Sequence, residues 1–159
     1  MSQMDDITVE ECNFTNADDL KAVAELLNLY IADEMGGGTL LSPMQQLRLI
    51  SGLDEHPKSI VILAKKDGLY AGMIVAFENF STFSVKPMIN IHDVIVKKEF
   101  RRLGVGRKMM EKIEKIARIR SCGRITLEVR HDNLGAQQLY QSMGFADDEH
   151  PMYFWKKFL

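Results

Sequence analysis

Residues 91–113 read Ile-His-Asp-Val-Ile-Val-Lys-Lys-Glu-Phe-Arg-Arg-Leu-Gly-Val-Gly-Arg-Lys-Met-Met-Glu-Lys-Ile, and this stretch decides the fold. The β-branched run at 94–96 favours a strand. Two glycines in a basic segment interrupt it, and apolar residues then recur at helical spacing, at Val105, Met109, Ile113, Ile116 and Ala117. The stretch therefore predicts a strand, a tight turn and an amphipathic helix in succession.

The turn at residues 101–106, here called the basic turn, has the properties of an anion site. The unpaired N–H groups and the positive dipole end of the following helix point into it. Gly104 and Gly106 lack a Cβ, so the backbone can approach a ligand closely or adopt a positive φ. Positive charge surrounds the turn at Arg101, Arg102, Arg107 and Lys108. We expect it to hold a pyrophosphate.

Two common phosphate loops do not fit the basic turn. A P-loop needs Gly-Lys-Ser/Thr at its end, whereas Gly106 is followed by Arg-Lys-Met. A dinucleotide fingerprint needs three glycines and an acidic residue about 20 positions later, and only two glycines are present. A basic, solvated helix start without a ligand stays the alternative.

Two motifs together carry a family resemblance. Arg101-x-x-Gly104-x-Gly106 is followed, one helix and one strand later, by a second motif that begins at Asn133 and ends at Phe145. The second reads Asn-x-x-Ala-x-x-Leu-Tyr-x-x-x-Gly-Phe. In this order the two motifs resemble those of the GCN5-related N-acetyltransferases (GNAT), which bind acetyl-coenzyme A.

The resemblance implies an α/β fold of the mixed α+β kind. Its centre is a mixed, mostly antiparallel, twisted sheet of about six to seven strands flanked by about four helices. The implied order is β-α-α-β-β-β-α-β-α-β-β. We expect residues 1–159 to form a single domain, with an acetyl-CoA-binding core at about 88–145. The implied acceptor-shaping regions are about 17–57 and 78–87.

The resemblance also implies which residues contact acetyl-CoA. The strand before the basic turn would bind the pantetheine arm, and successive backbone N–H groups of the turn would cradle the pyrophosphate. Asn133 would hydrogen-bond the cofactor from the start of the next helix. The implied positions are Val94, Ile95, Val96, Arg101, Arg102, Leu103, Gly104, Val105, Gly106, Arg107, Asn133, Ala136 and Tyr140. No metal is expected.

Catalytic roles follow from the same resemblance. Tyr140 matches the general acid of the family, with a tyrosine merely packed in the fold as the alternative, and the Val94 N–H would stabilise the oxyanion. Many relatives carry a glutamate immediately before the strand aspartate, where this chain has His92-Asp93. The general base is therefore open between His92, Asp93 and water. In an unbroken strand His92 and Asp93 point to opposite faces, so only one would face the acceptor.

Composition and charge limit the classes of function that are possible. The chain is 46% hydrophobic and 26% charged, as in ordinary globular domains. It has no 18-residue apolar run and no export signal at its N-terminus, so we expect a cytoplasmic protein without a membrane partner. Residues 97–130 hold 12 Lys/Arg and 4 Asp/Glu, and the rest of the chain holds 8 and 18. The basic part suits coenzyme A, and the acidic part suits a cationic amine acceptor.

Hydrophobic periodicity and turn residues place the remaining elements. Asn16 and Ser42 are expected N-caps, and Asp67-Gly68 is a hairpin turn signal. The predicted strands are 7–12, 59–65, 69–77, 88–96, 124–130 and 152–159, and the predicted helices include 17–33 and 43–53. Residues 78–87 are expected to be an irregular loop. The three glycines at 36–38 predict either a flexible connector or a lid over the acceptor.

The sequence therefore predicts an N-acetyltransferase that moves an acetyl group from acetyl-CoA to a primary amine by direct attack in a ternary complex. The acceptor would be a small molecule or a peptide amine. The alternative is a non-catalytic coenzyme A-binding or sensing module. A nucleic-acid partner is not expected, because no recognised binding motif accompanies the basic segment. The oligomeric state stays open, with the predicted end strand around Tyr153 a candidate homodimer edge.

Overall fold

The computed structural model describes residues 6–159, and the extreme N-terminus used in the export-signal expectation lies outside them. The chain divides into two compact units, one ending at Glu128 and the other spanning Val129–Leu159. Among the described residues, no helix has the length and apolar character needed to cross a membrane.

The described residues form five strands and four α-helices. The first unit contains β1 (Ile7–Glu11), α1 (Ala17–Ala32), α2 (Pro43–Glu55), β2 (Ser59–Lys66), β3 (Leu69–Ser81), β4 (Lys86–Val96), α3 (Val105–Ile119) and β5 (Ile125–Leu127). A short 3₁₀ helix, Lys98–Phe100, lies between β4 and α3. The second unit contains α4 (Leu134–Ser142).

The strands form one mixed sheet in the order β1-β2-β3-β4-β5. The first three pairings are antiparallel and β4 pairs with β5 in parallel. This confirms the expected mixed α+β class with a mostly antiparallel sheet and four helices. The described strands number five, fewer than the six to seven expected.

Both faces of the sheet are covered, which explains why β2 is a nearly continuous apolar run. On one face, Val61, Leu63 and Met73 pack with Val23 and Leu26 of α1 in a single buried cluster. α2 joins this cluster, whereas α3 contacts the sheet with the buried residues of its apolar stripe. The stripe consists of Val105, Met109, Met110, Ile113, Ile116 and Ala117.

The predicted N-caps and the predicted hairpin turn are confirmed by the structure. The Asn16 side chain accepts the N–H groups of Asp18 and Asp19 at 2.9 and 3.1 Å. Ser42 caps α2 reciprocally with Gln45. The β2–β3 turn has positive φ at both central residues, Asp67 (51°) and Gly68 (79°), as a type I′ hairpin requires.

The predicted irregular loop at residues 78–87 is wrong for most of its length. β3 continues to Ser81 and β4 begins at Lys86, so the two strands form a long hairpin with a four-residue connection. Phe80 pairs with Pro87 within it. Phe80 is the one residue of the paired part with strong strand propensity, so the strands extend here through cross-strand pairing more than through residue type.

The C-terminal strand predicted at residues 152–159 is also wrong, because the structure assigns no secondary structure there. The side chains of Tyr153 and Trp155 are 90% and 85% exposed. Consecutive aromatic residues give β-propensity but no alternation that selects one face. The fifth strand is likewise shorter than the predicted 124–130, and Val129 lies beyond its end.

A carboxylate with two cationic partners ties distant segments of the first unit together. Glu78 of β3 accepts from Lys58 Nζ at 2.6 Å and from Arg120 Nη1 at 2.9 Å. The Glu78 side chain is only 13% exposed. These two hydrogen bonds, first that of Lys58 and then that of Arg120, hold the pKa of Glu78 below its usual value.

Two glycines of the first unit respond oppositely to an added methyl group. Gly52 lies within α2 with open space around an added Cβ, whereas an added Cβ at Gly72 would lie 2.6 Å from the Ile95 carbonyl oxygen. We expect Gly52→Ala to stabilise the protein by about 0.5–1 kcal/mol, because glycine is entropically costly in a helix. We expect Gly72→Ala to destabilise it by about 1–3 kcal/mol through overpacking.

Urea unfolding of both variants and of the parent protein measures these two changes in the free energy of unfolding. Equal effects of the same sign would contradict the packing described at Gly72.

Candidate functional site

The basic turn connects β4 to α3 through two residues in the left-handed region. Arg102 has φ 65° and Gly104, the N-cap of α3, has φ 87°. Among the described residues, no side chain caps the first turn of α3. Its N–H groups are thus directed, with the positive end of the helix dipole, toward the space before the helix.

Gly104 is required by its backbone conformation rather than by crowding. The nearest atom to an added Cβ is the Ile7 Cδ1, at 3.9 Å. Arg102 adopts its positive φ without being glycine, which costs on the order of 1–2 kcal/mol and persists only where neighbouring contacts enforce it. Backbone strain of this kind concentrates at ligand sites.

Arg101, one of the positive charges around the turn, is held in place by two hydrogen bonds. Its Nε donates to the Val96 carbonyl at 3.0 Å, and its Nη2 donates to Asp33 Oδ2 at 3.0 Å. Arg102, Arg107 and the other residues of the turn apart from Val105 are largely solvent-facing, whereas Val105 is buried and anchors the start of α3.

The final residues of β4 have sheet partners on one edge only. β3 pairs with β4 as far as Val96, but β5 pairs only with Ile89, Asn90 and Ile91. From Val94 to Val96 no strand among the described residues pairs on the β5 side. Backbone polar groups on an unpaired strand edge need other partners. The predicted pantetheine-binding residues therefore lie at such an edge, immediately before the basic turn.

A β-bulge interrupts β4 at the predicted catalytic pair. Val75 of β3 lies opposite Asp93 and Ala76 lies opposite Ile91, so His92 is the extra residue. Directly opposed residues share a sheet face. The bulge therefore shifts the alternation, and Asp93 shares the face of Val75, which belongs to the α1–α2 core cluster.

His92 lies on the same face as Asp93. Its ring contacts Phe77, with centroids 4.7 Å apart, and Phe77 packs against the α1–α2 core cluster. The limit of one acceptor-facing residue holds only for a strand without a bulge, and it therefore does not apply to this pair. A bulge cannot be read from residue types here, because both neighbours of the pair are ordinary strand formers.

A second imidazole, which the sequence did not single out, flanks the same phenylalanine. His56, the C-cap of α2, meets Phe77 edge-to-face with centroids 4.8 Å apart. Its Nδ1 accepts the N–H of Lys58 at 3.1 Å, which leaves the proton of a neutral ring on Nε2. His56, Phe77 and His92 thus form a row of rings from the end of α2 to the bulge.

Asp93 is half-buried, and burial raises its pKa above the usual 3.8, against a smaller opposing effect of His92. A carboxylate with a raised pKa is a stronger base. Among the described residues, no group of His, Cys, Asp and Glu side chains could hold a metal ion.

The second unit explains the second sequence motif. The Asn133 Oδ1 caps α4 by accepting the Ala136 N–H at 3.2 Å. At the other end, Gly144 adopts φ 93° and its N–H donates to the Gln141 carbonyl, while the Phe145 N–H donates to the Tyr140 carbonyl. This is a Schellman ending, with the expected contact between its apolar residues.

Tyr140 is the residue that the Schellman ending positions. Its ring centroid lies 6.0 Å from that of Phe145, and its side chain is 7% exposed. Within the second unit, the helix start at Asn133, the small residue Ala136 and Tyr140 thus occupy successive turns of one short helix.

Comparisons with known proteins agree with these motifs. Residues 23–145 match the model of the acetyltransferase (GNAT) family. An uncharacterised N-acetyltransferase of Bacillus subtilis strain 168 is 25% identical over 130 residues, which is 82% of this chain and 85% of that protein.

Solved structures share the fold at low sequence identity. A probable acetyltransferase superposes with a TM-score of 0.80 at 23% identity, covering 96% of this chain and 97% of that one. An aminoglycoside N-acetyltransferase in complex with CoA superposes with a TM-score of 0.78 at 15% identity, covering 99% of both chains.

The burial of Asp93 predicts a stability gain on neutralising it. Because its pKa is raised in the folded state, the folded protein above that pKa carries the cost of a buried charge. Asp93→Asn should therefore raise the urea midpoint at pH 7, and the gain should vanish well below pH 3.8, where the aspartate is protonated in both states.

Glu78→Gln is the control with the opposite sign. The lowered pKa of Glu78 means that its carboxylate stabilises the fold above its ordinary value of 4.5, and that this stability is lost as pH falls through the lower folded pKa. Glu78→Gln should thus lower the midpoint at pH 7. A loss of stability in Asp93→Asn at pH 7 would contradict the assigned burial.

Proposed function

The chain belongs to the GNAT acetyltransferase family, and on this premise we propose that it transfers the acetyl group of acetyl-CoA to a primary amine by direct attack in a ternary complex. One observation carries the proposal. The unpaired edge of β4 is followed, after the short 3₁₀ helix, by a turn whose left-handed Gly104 precedes an α3 start that no described side chain caps. Such a path suits an extended pantetheine arm that ends in a pyrophosphate.

Each part of acetyl-CoA would have its own partner. The backbone from Val94 to Val96 would hydrogen-bond the pantetheine arm. Successive N–H groups from Arg101 to Arg107 would bind the pyrophosphate, and Asn133 and Ala136 would contact the cofactor from α4. The Val96 carbonyl already accepts from Arg101, so we assign the pantetheine contacts chiefly to Val94 and Ile95.

The reaction forms a C–N bond and breaks a C–S bond. The neutral amine attacks the thioester carbon, and the Val94 N–H would stabilise the resulting oxyanion. On collapse the thiolate of coenzyme A leaves and takes a proton from the Tyr140 phenol. The proton lost by the amine would pass to Asp93 or His92, directly or through water.

The bulge supports a shared role for Asp93 and His92, because it brings both residues to one face of the sheet. Asp93 has the raised pKa, and His92 is the more exposed of the two. We assign the base to this pair rather than to one member of it.

The acceptor class follows from charge. Outside residues 97–130 the chain carries 8 Lys/Arg and 18 Asp/Glu, a balance that attracts cationic amines. We propose a small amine, a polyamine or a lysine or N-terminal amine, bound by regions 17–57 and 78–87 of a single catalytic domain. We place the reaction in the cytoplasm, a compartment that suits the two free thiols of Cys12 and Cys122.

Calorimetric titration with acetyl-CoA, followed by a thiol-release assay with a panel of amines, tests this function. We expect a micromolar Kd, about −8 kcal/mol, and turnover with at least one cationic amine. ATP and NAD⁺ serve as comparison ligands and should bind far more weakly. Folded protein that does not bind acetyl-CoA would refute the proposal, and binding without turnover for every amine class would favour the sensing alternative.

Gly104→Val tests the basic turn. A β-branched residue is strained at φ 87° and would place its side chain where the pyrophosphate is expected. We expect acetyl-CoA affinity to fall at least tenfold, about 1.4 kcal/mol. Gly68→Val is the matched control, because Gly68 has φ 79° and open space in the β2–β3 turn. It should lose stability but keep its affinity, and equal affinities for the two variants would place the ligand elsewhere.

Tyr140→Phe tests the general acid. Removing the phenolic proton donor should lower kcat by roughly 10²-fold or more and leave the acetyl-CoA Kd within about twofold of the parent. Tyr153→Phe makes the same chemical change at an exposed residue and should alter neither quantity. A collapse of affinity with unchanged kcat would instead assign Tyr140 to cofactor binding.

A further inference from the structure

Asp33 uses its carbonyl oxygen and both carboxylate oxygens on two separate turns. It follows α1 as the C-cap residue and precedes the segment of residues 35–38, here called the glycine turn. Its carbonyl accepts the N–H groups of Gly36 at 3.0 Å and Gly37 at 3.2 Å, and its Oδ1 accepts the Met35 N–H at 3.1 Å. Its Oδ2 accepts from Arg101, the first residue of the basic turn.

The glycine turn is hydrogen-bonded to the end of α1. An added Cβ at Gly36 would lie 1.9 Å from the Tyr30 carbonyl oxygen, and Gly37 has φ 62°. The Gly38 N–H donates to the Ile31 carbonyl at 3.3 Å. These contacts make the segment the closing turn of α1, with Asp33 at its centre. The choice between a connector and a lid stays a prediction.

Arg101 is fixed at both ends of its guanidinium group by partners far apart in sequence. Nε bonds the last residue of β4, Val96, and Nη2 bonds Asp33. The Asp33 side chain is 12% exposed and the Arg101 side chain is 48% exposed, so water reaches this ion pair from the arginine side only. The contacts of Arg101 immediately precede the strained Arg102 and the left-handed Gly104.

We propose that Asp33 is a positioning residue of the transferase, which couples the glycine turn to the basic turn through Arg101. It holds Arg101, and thereby keeps the basic turn in the shape that binds the pyrophosphate. The same carboxylate organises the glycine turn in the region assigned to the acceptor, so occupancy of one turn is transmitted to the other. The proposal rests on the proposed function of the basic turn.

The observations favour this role over direct contact with the acceptor amine. A free carboxylate at this position would suit a cationic substrate, but the two carboxylate oxygens of Asp33 already accept from Met35 and Arg101. These hydrogen bonds, first that of the Met35 N–H and then that of Arg101, hold the pKa of Asp33 below its usual value. An intramolecular cation thus occupies the position that a substrate cation would take.

A double-mutant cycle measured by calorimetric titration with acetyl-CoA tests the coupling. The variants are Asp33→Asn, Arg101→Ala and their combination. Asparagine keeps an oxygen for the Met35 N–H and removes the charge that holds Arg101. We expect each single change to weaken acetyl-CoA binding about tenfold, and the double variant to bind no more weakly than Arg101→Ala alone, because residues in one network are not additive.

A second measurement separates coupling from a merely structural role. Hydrogen exchange of the Gly36 and Gly37 amides should slow when coenzyme A binds the parent protein, although these amides lie in the other turn. In Asp33→Asn the same addition should leave their exchange unchanged. Asp67→Asn, an exposed aspartate paired with Lys66, is the control and should behave as the parent in both experiments.

The outcomes distinguish this inference from the function on which it rests. If the parent protein fails to bind acetyl-CoA, both fall. If the parent binds and Asp33→Asn binds equally well, or if the two single effects add fully, only the coupling falls. Should Asp33→Asn fold poorly, Arg101→Met probes the same link from the other side. It removes the cation that Asp33 holds and keeps a long side chain, and parent-like affinity in that variant would overturn the proposal.

Discussion

β4 pairs with β3 along its length apart from the bulge at His92, and it pairs with β5 at only three residues. Much of the site depends on this asymmetry, because a fully paired strand would leave no backbone groups for a ligand. β5 ends at Leu127, and the chain leaves β4 through the basic turn into α3. β4 thus has a strand partner on both edges at residues 89–91. At residues 94–96, where the proposed site lies, it has one on a single edge.

Two departures from regular geometry refine this opening. The bulge at His92 reverses the side-chain alternation in the last part of β4. Ile91 and Asp93 therefore lie on opposite faces of the sheet, although they are two residues apart. The left-handed residues Arg102 and Gly104 then redirect the chain into α3. Both departures carry a local cost, and the packing of β3 and the buried stripe of α3 maintains them.

The sequence predicted those features that depend on neighbouring residues. The stripe of α3, the caps at Asn16 and Ser42 and the Asp67-Gly68 turn are local, and the order of elements up to α4 followed from them. The second motif also depends on neighbouring residues. Gly144 ends α4, and Phe145 then contacts Tyr140. The site residues of both motifs lie on the predicted elements.

What the sequence did not predict depends on partners far along the chain. Residue types do not reveal the bulge, because it arises from the pairing of β4 with β3. Asp33 and Arg101 are 68 positions apart, and nothing in either neighbourhood indicates the other. The end strand was predicted from aromatic propensity alone, and a strand also needs an edge with which to pair.

The end of the chain, which has no regular secondary structure, determines which spectroscopic signal reports the folding of this protein. Its single tryptophan, Trp155, lies in that segment with 85% of its side chain exposed. The indole ring is therefore already surrounded by water in the native state. Unfolding of the sheet would change its fluorescence little. Far-ultraviolet circular dichroism, which follows the four helices, reports the core instead, and collisional quenching of the fluorescence isolates the tail.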